Sequence, residues 1–150
     1  MNDAGRFTVG VFQDALWARR GVEALLRNGF PPESLTILAL DSPSTSQLIE
    51  DLLGGAAARL ELKQLGAVAA KGPLIAALQA DDQGLTGIGL GGTMRRAGFQ
   101  QHDGYIFETL TARGGVLVAV HSEPRAADAL AALHAYGGGN AAIGAWTGRV

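Results

Sequence analysis

Apolar positions recur along this chain in two rhythms. Phe7-Thr-Val-Gly-Val-Phe12 and Leu35-Thr-Ile-Leu-Ala-Leu40 are short, β-branched and nearly continuous, which predicts strands. Between them Ala15, Ala18, Val22, Leu25 and Leu26 fall on one face of a helix, with Arg19, Arg20, Glu23 and Arg27 elsewhere. Asp14 is placed to cap that helix, because its carboxylate can accept from the free amides of the first turn. Asn28-Gly29 ends it, with Gly29 in the left-handed conformation, and Pro31-Pro32 prevents its continuation. Residues 7–40 therefore form one βαβ unit.

The same succession returns at an offset of 108 positions, Val9 matching Leu117, Val22 matching Leu130 and Gly29 matching Gly137. Gly114-Gly115 releases a helix, and Val116 to Val120 follows without alternation, so both faces of that strand are covered or the strand is central. Ser122 caps the next helix, Pro124 lies in its first turn, Gly137 to Gly139 end it, and Asn140 to Trp146 makes a last strand. Two right-handed βαβ units, 7–40 and 114–146, in one antiparallel sheet predict a ferredoxin-like α+β sandwich in a single domain. Strands 7–12 and 116–121 should be its adjacent central pair.

Residues 41–113 form a long, partly helical Gly/Ala-rich insertion, too long for a bare loop. Ser44-x-x-Gln47 resembles a capping box ahead of Leu48, Ile49, Leu52 and Leu53, closed by Gly54-Gly55. Leu60 and Leu62 alternate with charged residues, which predicts a strand near 60–70. Gly72-Pro73-Leu74 opens a helix through Leu78, Gly84 to Met94 is glycine-spaced, and Asp103 to Arg113 is a helix carrying Ile106, Phe107 and Leu110 and stopped by Gly114. A ferredoxin-like sheet has helices on one face only. The insertion or a second copy must cover the other, and the small side chains between Gly84 and Gly98 favour a two-fold homodimer.

The net charge of −2 offers no basic stripe for nucleic acid. There is no cysteine, hence no disulfide and no thiolate chemistry, which suits a reducing cytoplasm. Met1 to Arg6 has neither the basic nor the apolar region of a signal peptide. Between Gly66 and Gly92 the apolar stretch is broken by Lys71 and Asp81-Asp82, which argues against membrane insertion.

The order Val-Gly-Val-Phe, Asn-Gly-Phe-Pro, Gly-Pro-Leu, a Gly-rich stretch, Ala-Gly-Phe, Tyr-x-x-Glu and Gly-Gly-Val-Leu-Val-x-Val-His resembles the bacterial general (heat-induced) stress protein family. The likeness spans most of residues 7–146, rests on structural punctuation, and implies a stress-associated role without catalytic residues to carry over. Many members of that family have a longer unbroken Gly/Ala run, from which this chain departs at Asp81-Asp82 and Arg95-Arg96.

Several constellations invite chemistry. Gly87-x-Gly89-x-x-Gly92 matches a dinucleotide fingerprint as a string, but no strand leads into it, and close helix packing through small residues explains it as well. His102, Glu108 and His121 offer nitrogen and oxygen donors for a divalent ion such as zinc and would make a metal-dependent enzyme, but their spacing matches no recognised site. His134 reads as surface. His121-Ser122-Glu123 cannot form a hydrolytic triad from adjacent residues. Tyr105 and Glu108 read as a packed ring with a solvated acid, Trp17 and Trp146 as core residues or partner anchors, and Arg19-Arg20 and Arg95-Arg96 as solvated surface. The expectation is a non-enzymatic, stress-associated binding or assembly domain, cytoplasmic and homo-oligomeric, with no cofactor. A small-molecule sensor with its ligand at a loop or dimer seam is the alternative.

Overall fold

The computed structural model describes residues 7–121 and 126–135. Among these residues five strands, β1 (Phe7–Phe12), β2 (Leu35–Leu40), β3 (Ala58–Leu62), β4 (Gly66–Lys71) and β5 (Val116–His121), form one antiparallel sheet in the order β1-β5-β2-β4-β3. Seven helices accompany it among the described residues: α1 (Ala15–Arg27), α2 (Pro43–Leu53), α3 (Pro73–Gln79), α4 (Gly84–Ile88), α5 (Leu90–Thr93), α6 (Gln101–Ala112) and α7 (Ala126–Ala135). The chain is thus a mixed α+β protein.

Local signals account for most element boundaries. Asp14 Oδ1 accepts from Trp17 N–H at 2.9 Å and starts α1. Gly29 takes φ +93° just beyond its end. Pro73 occupies the first turn of α3. For α2 the boundary differs from expectation: Ser42, not Ser44, is the cap, its hydroxyl accepting from Thr45 N–H at 3.1 Å. Pro43, whose fixed φ suits the first helical position, starts the helix early, and Gln47 donates to Asp51 Oδ1 instead. The single strand expected near 60–70 is two. Gln64 at φ +76° and Gly66 at φ +78° turn the chain into the β3–β4 hairpin, with Leu62 opposite Gly66.

β1 and β5 pair antiparallel from Phe7↔His121 to Phe12↔Val116, and β5 pairs antiparallel with β2 on its other side. β1 and β2 are therefore parallel, with β5 between them, so the expected adjacency of 7–12 and 116–121 holds. The ferredoxin-like sandwich is not shown: among the described residues the strand order is not that of a ferredoxin fold, because β4 pairs with β2 and carries β3 beyond it, and β1 has a single described neighbour, β5. Asn140 to Trp146, the expected last strand, lies outside the described residues, as do Ser122, Pro124 and Gly137.

The two faces of the sheet are equally apolar, as the unbroken runs required. Val116, Val118 and Val120 join Leu35, Ile37 and Phe12 against α1, α2 and α7. Leu117 and Ala119 join Val9, Val11, Leu38 and Val68 against Leu74, Leu78, Leu85, Leu90, Met94 and Phe107 of the insertion. Three layers result, not two. Leu85, Leu90 and Met94 are fully buried within a single chain. The argument for a dimer from an uncovered sheet face loses its premise, because the insertion supplies enough leucine, methionine and phenylalanine to close that face itself.

Candidate functional site

The antiparallel register of β2 and β4, with Ile37 opposite Lys71, sets the start of one strand beside the end of the other. At that end of the sheet lies an open cleft of about 770 Å³, lined by Pro32 and Glu33 of a 3₁₀ turn, Leu35, the end of α2 at Leu53-Gly54, and Lys71-Gly72-Pro73. Gly72 is required here. It has φ +132°, and a Cβ would collide with the Leu35 carbonyl and with Thr36. Having no side chain, Gly72 cannot cap α3, and the neighbouring strand does so: Thr36 Oγ1 accepts from Leu74 N–H at 2.9 Å.

Strand alternation sends Val68 and Ala70 to the insertion side and Ala69 to the α2 side, so Lys71 follows Ala69 toward α2. A Cβ on Gly55 would lie 3.7 Å from Lys71 Nζ, which puts the ammonium beside the Gly54-Gly55 turn. Lys71 is half-buried. Among the described residues Arg19, Arg59 and Arg96 pair with Asp51, Asp41 and Asp82, and Lys71 pairs with no carboxylate. A smaller pocket of about 170 Å³ lies between Val11, Phe12, Leu110 and Arg113.

The residues singled out from sequence are dispersed. His102 is exposed on the first turn of α6, its Nε2 3.2 Å from Asp103 Oδ1. Asp103 is buried, and neither of its carboxylate oxygens makes a hydrogen bond among the described residues. Its place in the first turn of α6 puts it at the positive end of the helix dipole. His121 ends β5 with its ring stacked on Phe7, centroids 4.8 Å apart. Glu108 Oε2 accepts from Gly91 N–H at 3.1 Å. His102, Glu108 and His121 form no three-ligand cluster; none exists among the described residues.

The Tyr105–Glu108 expectation is reversed: the tyrosine is 47% exposed and the acid 8%. Gly91 admits no larger residue beside the Tyr105 ring and Glu108, and the acid turns inward to the α5 amide. Close helix packing falls on Gly91, next to Gly92 of the string: Gly104 of α6 lies directly against the Gly91 carbonyl of α5, whereas Gly87 has open space where a Cβ would stand. Gly89, at φ +109°, separates α4 from α5.

Trp17 is partly buried against the α1 side of the core, with the Arg20 guanidinium 5.1 Å from its ring centre. Trp146 and Glu123 lie outside the described residues, as does the side chain of His134. Arg19 ties α1 to α2 through Asp51, whereas Arg96 grips Asp82 by two hydrogen bonds, at 2.8 and 2.6 Å, and donates to Leu78 O. That clamp holds the Asp82 carboxyl below its usual range, chiefly through the hydrogen bond from Arg96. The two arginine pairs thus belong to opposite layers and make no joint anion site.

Sequence reasoning missed the cleft. Gly54-Gly55, Lys71 and Gly72 all stood out as interruptions, but nothing local said that they converge. Among the described residues no helix is long and apolar enough to cross a membrane. The chain matches no protein-family model, no curated protein and no solved structure.

Proposed function

We propose that this chain is a non-enzymatic binding domain that senses a small molecule held in the cleft beside Lys71. The cleft is the observation that carries the reading. Its volume of about 770 Å³ falls within the range of roughly 300–1,000 Å³ typical of small-molecule sites, and its lining is mostly apolar with few charges. It is built from strand ends and turns, where binding residues can vary without disturbing the packed layers. A role in binding is further supported by the structural duties of the chemically capable groups: Glu108 holds the α5 amide, and His121 stacks on Phe7. The stress-associated part of the role follows from the resemblance to heat-induced stress proteins alone.

Native mass spectrometry of the purified protein tests the reading. The expected result is a non-covalent adduct, released on denaturation, that is lost when Leu53→Trp fills the cleft. Protein without an adduct, which also fails to acquire one from a metabolite extract, would overturn it.

A further inference from the structure

We infer that the ligand of this cleft is a monoanion with an apolar body, its single carboxylate, sulfonate or phosphodiester group meeting the Lys71 ammonium. The inference rests on the cleft being the binding site. Lys71 is the last residue of β4, its backbone held in register by its pairing opposite Ile37. It is half-buried and has no carboxylate partner among the described residues. A cation in such a place is incompletely solvated and gains from an anion that takes up its donors. The neighbouring turn leaves room for one, since a Cβ on Gly54 would meet nothing within 4 Å.

The remaining walls set the rest of the ligand. Pro32, Leu53 and Pro73 present apolar surface. Glu33, exposed on the same cleft, is its only carboxylate among the described residues and offsets the charge of Lys71. A polyphosphate or a nucleic-acid strand would bring several anionic groups to one cation and set the others against Glu33. One anionic group on an apolar body satisfies both walls.

Two probes of nearly the same shape separate the terms: anilinonaphthalene sulfonate, a monoanion, and N-phenylnaphthylamine, its neutral counterpart. Binding is followed by fluorescence, and its place by the backbone amide resonances of Gly54, Gly55 and Gly72. The expected result is that the sulfonate moves these resonances and binds Lys71→Gln about tenfold more weakly or worse, while Lys71→Arg keeps its affinity and the neutral probe binds all three proteins alike. If both probes move the cleft resonances and Lys71→Gln changes neither affinity, the anion preference is wrong and the cleft stands. If neither probe moves them, or the sulfonate moves only resonances near Ile88 and Tyr105, the cleft reading fails with it. The folded state of each variant is read from the same spectra, and Lys71→Met, of similar length and without the charge, takes the place of Lys71→Gln should that variant not fold, with the same outcomes expected.

Discussion

Glu108 Oε2 accepts a hydrogen bond from Gly91 N–H at 3.1 Å, so the acid that the sequence offered as a metal ligand is occupied with the backbone of α5. The carboxylate acts as the cap that α5 lacks locally, because Gly89 at its start has no side chain to do so. Removing it leaves a buried amide without a partner. Glu108→Ala should cost about 1–3 kcal/mol, and Glu108→Gln, which keeps an acceptor, markedly less. Urea titration of both variants checks this, and equal midpoints for Glu108→Ala and the parent would refute the capping role.

Glycines of the same region should respond in opposite senses. Gly104→Ala drives a Cβ into the Gly91 carbonyl and must part α5 from α6, at a cost of about 1–3 kcal/mol. Gly87 is exposed on α4 with open space where its Cβ would stand, so Gly87→Ala should stabilise by up to about 1 kcal/mol. A dinucleotide-binding loop would predict no such division; thermal melts of the two variants report it.

Thr36→Val keeps the shape of its side chain and removes the acceptor for Leu74 N–H, 38 residues away in sequence. The expected loss is about 1–2 kcal/mol. It should be accompanied by faster hydrogen exchange at Leu74 and Ile75 than in the parent. Unchanged exchange there would mean that α3 does not depend on this cap.

The Asp82–Arg96 clamp sets an acid-side prediction. The folded-state pKa of Asp82 lies below its ordinary value of 3.8, so the carboxylate contributes stability in full above that pH. The contribution disappears as pH falls through the lowered folded-state pKa. Asp82→Asn should therefore be less stable than the parent near neutrality, and the two should converge in strong acid. Asp82 is exposed and Arg96 about a third so, and the difference should therefore also shrink with added salt. Curves that stay parallel through the acid limb would rule the clamp out as a source of pH dependence.

What the sequence by itself determined is most of the elements and many of their ends. Asp14 starts α1, Gly29 lies beyond it, Pro73 opens α3, and the unbroken Val116–Val120 run announced a strand covered on both sides. Each of these rests on sterics and hydrogen bonding within a few residues, or on a periodicity that burial must respect. The pairing of β1 with β5 was legible too, through the internal repeat. Only the tertiary structure decided the strand order, the closure of the second sheet face by the insertion, and the meeting of Lys71 with Gly54, Leu35 and Glu33. These depend on contacts between distant parts of the chain, such as Glu108 with Gly91 and Leu74 with Thr36. Their energy comes from shape and register across layers, which leave no periodic trace in the order of residues along the chain.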